Sequence, residues 1–176
     1  TATTALGSAV VQLSLGLSHT CAVLTGGVLK CWGMNMNGQL GIASTADCLM
    51  MSSNNCVTSA AAGTVDPPTG RTFQQVAAGG ESTCAVLDND ALWCWGKNSY
   101  GELGFASTGT QTGTGAWSPF GCETSPKVVY DGTGSNKVKQ VALGNQRTCA
   151  VLAADTLWCW GKSSNLGATG TADTCD

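Results

Sequence analysis

The feature that most constrains the fold of this 176-residue chain is a pattern that occurs three times. Each copy contains Thr-Cys-Ala-Val-Leu, four further residues and then Leu-x-Cys-Trp-Gly, and the copies align without gaps at residues 20–33, 83–96 and 148–161. Self-similarity of this kind is typical of proteins built from repeated structural units. We therefore predict one repeat array over residues 1–176, with units at approximately 11–74, 75–139 and 140–176, of which the last is incomplete.

The residues of each unit favour β-structure. Runs of Ala, Val, Leu, Cys and Trp about five or six residues long are bounded by Gly, Asn and Asp, and they show no helical period. The centre of each unit is predicted to be a hairpin with a three-residue loop, at 25–27, 88–90 or 153–155. Both hairpin faces are apolar, so each small sheet must be covered on both sides. Stacked or radially arranged blades meet that demand, and we predict an all-β fold of such blades.

The hairpin register places cysteines opposite one another. A directly opposed pair that lacks ladder hydrogen bonds has Cα atoms about 4.5 Å apart, which is within disulfide range. We therefore predict three cross-strand disulfides. The three opposed pairs are Cys21–Cys31, Cys84–Cys94 and Cys149–Cys159. A metal site would instead need Cys-x-x-Cys clusters with further Cys or His, which the sequence lacks.

The other four cysteines lie outside the hairpins. Cys48 and Cys56 share one loop and are predicted to pair locally. Cys122 lies in the next loop, and Cys175 occupies a Cys48-like position, so either these two pair across blades or Cys175 bonds to something outside this chain. Ten cysteines, an even number, favour an oxidising compartment, and the start lacks a Met and a signal sequence. We expect a processed or excerpted piece of a secreted, extracellular protein.

Composition and charge exclude several classes of function. The net charge is −3 and the eight Lys and Arg residues are scattered, so no basic patch for nucleic acid is expected. No stretch approaches about 18 consecutive apolar residues, so no membrane span is expected. Neither a Ser-His-Asp nor a Cys-His arrangement nor a phosphate-binding loop is present in the sequence. We therefore predict a protein that is not an enzyme and has no catalytic, cofactor-binding or metal-binding residues.

Individual candidates for chemistry have simpler interpretations. His19 aligns with Ser82 and Arg147, so it is predicted to be a surface or turn residue and not a catalytic base. The acidic residues Glu81 and Asp88, which a carbohydrate-active enzyme could use as a pair, have no matching partners in the other units. The segment 88–90, Asp-Asn-Asp, lacks the spaced oxygen ligands of a calcium loop and is predicted to be a hairpin turn.

Some side chains are candidates for contacts or modification. Four tryptophans are predicted to lie in the core between blades: Trp93, Trp95, Trp158 and Trp160. Trp117 lies in a loop rich in Gly and Thr and is a candidate for a binding rim that contacts another protein or a glycan. The composition of the loops also fits O-linked glycosylation, with a flexible polar loop as the alternative. The candidate acceptors are Ser107, Thr108, Thr110, Thr112, Thr114 and Thr69.

Together, these motifs resemble the RCC1-like repeat, and most closely its extracellular variety with Cys-Trp-Gly. The resemblance includes the turn Asn-x-x-Gly-(Gln/Glu)-Leu-Gly at 35–41 and 98–104, which is shortened at Asn165-Leu166-Gly167. It implies a β-propeller of four-stranded blades, commonly seven, with conformationally special glycines at strand ends and turns. Family members serve as nucleotide-exchange scaffolds on chromatin, as β-lactamase inhibitor proteins and as adhesion or binding modules, so the fold alone implies no single function.

Three repeats are too few for a closed ring, which needs about 4–8 blades. Strand edges and apolar blade faces would then be left open. We therefore expect a non-enzymatic extracellular structural protein that self-associates head to tail into a filament or a larger propeller, stabilised by disulfides. The alternative is a secreted binding module, such as an inhibitor or adhesin, that acts through the rim loops of a larger propeller.

Overall fold

The computed structural model describes residues 6–42, 56–57, 63–105 and 122–162, and nearly all of the regular secondary structure in these residues is antiparallel β-sheet. The sheets follow one another along the sequence, and we call them blade 1, blade 2 and blade 3. One short 3-10 helix, Gly134–Asn136, precedes the first strand of blade 3. The predicted all-β fold with propeller-like blades is confirmed.

Blade 1 contains five of the strands. β1 (Val10–Leu15), β2 (His19–Leu24), β3 (Leu29–Met34) and β4 (Cys56–Val57) lie in that order across the sheet, and β5 (Thr64–Val65) pairs with the other end of β3. The two short strands together take the place of a fourth strand, because each bonds to a different part of β3.

Blade 2 has four strands in sequence order: β6 (Phe73–Gly79), β7 (Ser82–Leu87), β8 (Leu92–Lys97) and β9 (Cys122–Tyr130). Blade 3 has three strands within the described residues: β10 (Val138–Leu143), β11 (Arg147–Leu152) and β12 (Leu157–Gly161). Contacts between strands join blade 1 to blade 2 and blade 2 to blade 3, and the described sheets do not close into a ring.

The central hairpins have the register that the loop lengths predict. Each hairpin pairs its two cysteines directly, and each pair forms a disulfide with a Cα–Cα distance of 4.1 Å. The bonds are Cys21–Cys31, Cys84–Cys94 and Cys149–Cys159. Because both partners of each bond belong to the same blade, the disulfides staple strands within blades and do not link one blade to the next.

The hydrophobic core lies between blades. One cluster joins the side chains of blade 1 to those of β6, β7 and β8, and a second joins blade 2 to β10 and β11. Trp95 is fully buried in the first cluster, and Trp93 and Trp160 pack against the clusters while partly buried. Trp158 is 46% exposed, so the prediction of core burial is wrong for this residue. Among the described residues β12 has no outer neighbour, whereas β9 places Val128 beside Trp93.

Candidate interaction surface

The contacts between consecutive blades show what a blade face of this type binds. We call the face turned toward the preceding blade the leading face and the face turned toward the following blade the trailing face. At the junction of blades 1 and 2, Val23 and Leu29 on the trailing face pack with Phe73, Val76 and other residues of the next leading face. All four of these side chains are buried, so each face is apolar because a neighbouring blade covers it.

A backbone carbonyl provides the polar contact at each junction. The carbonyl oxygen of Gln39 accepts a hydrogen bond from Thr83 Oγ1 at 2.8 Å and another from Trp95 Nε1 at 3.0 Å. At the next junction the carbonyl oxygen of Glu102 accepts from Thr148 Oγ1 at 2.7 Å and from Trp160 Nε1 at 3.0 Å. A threonine and a tryptophan on the leading face thus act together as two donors, which we call the Thr–Trp pair.

The turn that presents this carbonyl is fixed by its own asparagine. Leu40 N–H donates to Asn35 Oδ1 at 2.9 Å, and Leu103 N–H donates to Asn98 Oδ1 at 2.9 Å in the second copy. Both leucines are fully buried and belong to the two core clusters. The first residue of the motif therefore shapes the turn, and the leucine anchors it in the junction.

The glycine that ends the motif is required by the approach of the next blade. Gly41 and Gly104 have φ of +66° and +82°, in the region that favours glycine. A Cβ atom at these positions would lie 2.6 Å from Trp95 Nε1 and 2.8 Å from Trp160 Nε1, respectively. The motif therefore ends in glycine because the indole of the following blade occupies the space that a side chain would need.

His19 belongs to the first junction. It is 3% exposed, and its Nε2 lies 2.8 Å from Thr83 Oγ1, so the prediction of a surface or turn residue is wrong. The ring lies against Gly16, where any side chain would collide with it, and the alignment of polar residues at this position gave no sign of this burial. Because the Thr83 hydroxyl donates to Gln39, His19 Nε2 carries the proton and donates to Thr83.

The electrostatics of His19 follow from that arrangement. Burial lowers the pKa of His19 to about 4, against a smaller raising effect of the nearby Glu81 carboxylate. Nδ1 is buried and has no hydrogen-bond partner, so a second proton on the ring would have no acceptor. The imidazole is therefore neutral at neutral pH and acts as a fixed bridge between blades 1 and 2.

The inner strands are joined through side chains. Val76 N–H donates to Gln12 Oε1 at 2.8 Å, and Ala78 N–H donates to Ser14 Oγ at 2.9 Å. The free edge of β6 is thus satisfied by two polar side chains of β1 on the preceding blade. These contacts fix the position of blade 2 relative to blade 1 along the strand direction, because a shift along the strand would break both hydrogen bonds at once.

The leading face of blade 1 is open at its inner strand. Val10, Leu13 and Leu15 are 49%, 54% and 66% exposed, whereas Phe73 and Val76, the counterparts of Val10 and Leu13 in blade 2, are 2% and 1% exposed. On β2, the next strand of this face, Ala22 and Leu24 are buried.

The trailing face of blade 3 is open as well. Leu157 is 58% exposed, whereas Leu29 and Leu92 at the same position of blades 1 and 2 are fully buried. Within the described residues, the first and the last blade therefore each have a partly exposed apolar face, and each of these matches a face that is covered at a junction. Surfaces of this kind mark sites of protein association.

Other candidate sites have simpler structures. Asp90 has a φ of +64°, and its N–H donates to the carbonyl oxygen of Leu87 at 3.0 Å, so residues 88–90 form the predicted turn. In the described ranges, no three His, Cys, Asp or Glu side chains are grouped so that they could hold a metal ion. The described part of the chain also has no helix long and apolar enough to span a membrane.

Several predicted sites lie outside the described residues. They are Cys48, Cys175, Trp117, Ser107, Thr108, Thr110, Thr112 and Thr114. Cys56 and Cys122 begin β4 and β9, but the partners predicted for them, Cys48 and Cys175, lie outside the described residues, so these pairings stay predictions. Thr69 is exposed in a turn, and its glycosylation stays a prediction.

The Thr–Trp pair was not predicted from the sequence. The signal was present, because Thr20, Thr83 and Thr148 each precede the first cysteine and a tryptophan follows the second cysteine in every unit. The hairpin register places each threonine opposite that tryptophan, as in the pair Thr83 and Trp95. The acceptor of the pair is a backbone carbonyl, which every residue has, so the sequence does not indicate which residue is bound.

Comparison with known protein families identifies the repeat. A family model described as the regulator of chromosome condensation (RCC1) repeat matches residues 10–39, 73–102 and 138–166. A second model with the same description matches residues 27–86 and 89–151. The three segments of the first model begin at the first strand of each blade, and those of blades 1 and 2 end in the turn that presents the carbonyl.

Similar proteins are longer than this chain. The ultraviolet-B receptor UVR8 of Arabidopsis thaliana is 32% identical over 163 residues, which cover 92% of this chain and 32% of the receptor. The probable E3 ubiquitin-protein ligase HERC4 of Homo sapiens is 34% identical over 95 residues, 54% of this chain and 8% of the ligase. The chain thus spans a third or less of these relatives.

Solved structures share the fold. Yeast RCC1 (Prp20) in complex with Kap60 matches with a TM-score of 0.69 and 21% identity, over 86% of this chain and 32% of that chain. Human WBSCR16 matches with a TM-score of 0.67 and 22% identity, over 90% of this chain and 36% of that chain. At this level of identity the likeness establishes the fold.

Proposed function

The chain belongs to the regulator of chromosome condensation (RCC1) repeat family, and from this premise we propose that it is a non-enzymatic structural module that self-associates through its blade faces. Blade 3 of one copy docks on blade 1 of the next, in a head-to-tail contact that forms a filament or a larger propeller. The observation that carries this proposal is the exposure of Val10, Leu13 and Leu15 on a face whose counterparts are covered inside the array.

The apolar content of the two end faces supports association. Burial of exposed Leu and Val side chains stabilises a contact by about 1.5–3 kcal/mol for each fully buried side chain. Such gains exceed the modest contribution of exposed ion pairs, and the described ion pairs of this chain are mostly of that exposed kind. Association of the two faces would therefore be driven by the same apolar contacts that hold blades 1, 2 and 3 together.

The disulfides support an extracellular location. Three cross-strand bonds within a short array persist in oxidising compartments and are rare where cellular thiols are kept reduced. Each bond fixes the hairpin of one blade, so blades retain their shape even where a face is exposed. An extracellular fibre or coat would benefit from such stapled units.

Relatives of the same fold support a role in protein contacts. In one solved structure yeast RCC1 (Prp20) is bound to Kap60, and a second structure of Prp20p is described together with its binding to Gsp1p and histones. Proteins of this fold thus bind other proteins. For this chain, the exposed end faces favour a second copy as the bound protein.

Sedimentation velocity of the purified chain with its disulfides intact tests the proposal, together with negative-stain electron microscopy. We expect concentration-dependent growth beyond a monomer, and either fibres with a regular axial repeat or rings. Leu15→Glu should abolish the growth, because it places a charge on the leading face. Val128→Glu is the matched control, since Val128 is a half-exposed apolar residue on the outer strand of blade 2.

A strictly monomeric chain at all concentrations would contradict self-association. The alternative function would then be favoured, a secreted binding module that acts through its rim loops, and Trp117 would become the first residue to test by substitution.

A further inference from the structure

The two junctions share one polar contact but differ in their titratable groups. In the first junction, between blades 1 and 2, the bound carbonyl belongs to Gln39, and in the second, between blades 2 and 3, it belongs to Glu102. The first junction also holds the imidazole of His19, at the strand position where blade 2 has Ser82. Among the described residues, the first junction therefore buries a titratable base and the second a titratable acid.

From this difference we propose that acidification loosens the first junction and tightens the second, so that pH selects the junction that opens more readily. The effect concerns contacts inside the chain and does not depend on self-association. In a repeat protein each junction contributes its own term to stability, and parts of a structure with low local stability open separately from the rest. Two junctions that respond to pH with opposite sign can therefore change where the array opens.

The imidazole of His19 has no place for a second proton while the first junction is closed. Its Nε2 donates to Thr83 Oγ1 at 2.8 Å, and its Nδ1 is buried with no acceptor among the described residues. Burial lowers the pKa of His19 to about 4, although the carboxylate of Glu81 favours the charged ring. An imidazolium forms at mildly acidic pH only when the junction opens and water reaches the ring. Protons therefore favour the open form of the first junction.

The carboxyl group of Glu102 has the opposite requirement. Glu102 is 2% exposed, its Oε2 accepts from Tyr100 N–H at 2.6 Å, and its Oε1 is buried with no partner among the described residues. Burial raises the pKa of Glu102, because a carboxylate here has lost water without a full set of hydrogen bonds. Leu103 next to it is buried in the cluster between blades 2 and 3, so opening of the second junction hydrates this turn. Protons therefore favour the closed form of the second junction.

Gln39 shows that a neutral side chain fits the same position. It occupies the place of Glu102 in the first turn and is fully buried, and its Oε1 accepts from Asn37 N–H at 2.8 Å. The two turns therefore bind their side chains in the same way and differ in whether that side chain can carry a charge. Glu102→Gln gives the second junction the side chain that the first already has.

The charged groups around the two sites do not reverse the effect of burial. On blade 2, Lys97 lies 2.7 Å from Glu81, so the two charges that act on Glu102 and His19 largely neutralise each other. From blade 3, the contacts to the second turn come from the uncharged Thr148 and Trp160 and from Lys162, whose ammonium lies 4.8 Å from the centre of the tyrosine ring in this turn. Burial is the largest cause of the pKa shift at both sites.

The indole N–H groups of Trp95 and Trp160 report on the two junctions separately. Each donates to the carbonyl of its own junction, so its proton exchanges with water when that junction opens. Nuclear magnetic resonance measures this exchange in the whole chain with intact disulfides, at low concentration, at about pH 7.5 and about pH 5. The intrinsic exchange rate of an indole N–H changes alike for both residues, so the ratio of their protection factors isolates the junctions.

We expect the protection of Trp95 to fall about thirtyfold from the higher to the lower pH, and that of Trp160 to rise by about fivefold. His19→Gln should remove the fall at Trp95, and Glu102→Gln should remove the rise at Trp160, each without changing the response of the other indole. Asp155→Asn is the matched control, because it removes a carboxylate whose side chain is 83% exposed and should change neither response.

Three results would overturn the inference. The first is an equal response at Trp95 and Trp160, because pH would then act on the whole chain and would not select a junction. The second is a loss of protection at Trp160 on acidification. The third is a pair of opposite responses that persists when His19→Gln and Glu102→Gln are combined, since other groups would then cause them. A chain that stays monomeric contradicts the proposed function and leaves this inference in place.

Discussion

The burial of His19 makes the stability of the chain depend on pH. In the unfolded chain its pKa is near the ordinary 6.5, and in the folded chain burial lowers the pKa to about 4. Between these values the unfolded state binds a proton that the folded state does not bind, so the free energy of unfolding falls as the pH is lowered. Above about pH 6.5 the free energy of unfolding keeps its full value. It is lower by about 2 kcal/mol at about pH 5 and by about 3 kcal/mol below about pH 4.

Denaturant unfolding with intact disulfides, at about pH 7.5 and about pH 5, measures this loss. His19→Gln is the reference variant, because the Gln amide can donate to Thr83 Oγ1 without titrating. We expect the wild type to lose about 2 kcal/mol more than His19→Gln between the two pH values. The carboxylates titrate alike in both proteins, so their effects cancel in this comparison. Equal losses in the two proteins would refute the burial of a neutral His19.

Three further predictions concern the blades and their turns. Replacing Cys84 and Cys94 together by Ser should lower the free energy of unfolding by about 2–4 kcal/mol, and an unchanged denaturant midpoint would contradict the stapling role of this disulfide. Gly101→Ala should lower the free energy of unfolding by about 1 kcal/mol, because only its φ of +74° opposes a side chain. Gly104→Ala should lower it by about 2–4 kcal/mol, since the added Cβ would lie 2.8 Å from Trp160 Nε1. Equal losses of stability in thermal melting would contradict the docking of this turn on the next blade. Burial raises the pKa of Glu102, so the charged carboxylate destabilises the folded chain at neutral pH. Glu102→Gln should therefore increase the free energy of unfolding at neutral pH by on the order of 1 kcal/mol. In unfolding curves at decreasing pH, this difference between variant and wild type should disappear as the wild-type carboxyl takes up its proton.

The hairpin register could be predicted from the sequence because it depends on local quantities. A β-ladder has a period of two, so the length of the loop decides which residues face each other. The three-residue loops place Cys21 opposite Cys31, and the Cys positions of the other two hairpins follow the same rule. The loop has the same length in all three units, so the same cysteine positions face each other in every hairpin.

The environment of individual side chains between blades could not be predicted in this way. His19 aligns with Ser82 and Arg147, and an exposed turn was the natural interpretation of such a variable position. Its burial depends on Gly16, which makes room for the ring, and on Thr83 of the next blade. The prediction for Trp158 was wrong in the opposite direction: this tryptophan of a core motif is 46% exposed, and within the described residues β12 has no outer neighbour.

Within this array, the forces that shape a blade differ from those that join blades. Each of the three described disulfides lies inside one sheet, so it opposes unfolding of a hairpin but adds nothing to contact between sheets. Blades are joined by apolar faces and by a carbonyl bound by two donors, as Gln39 is bound by Thr83 and Trp95. In repeat proteins, stability is the sum of such unit and junction terms. Blade 2 carries both halves of a junction, because its Thr83 and Trp95 bind the turn of blade 1 while its own turn presents the Glu102 carbonyl to blade 3.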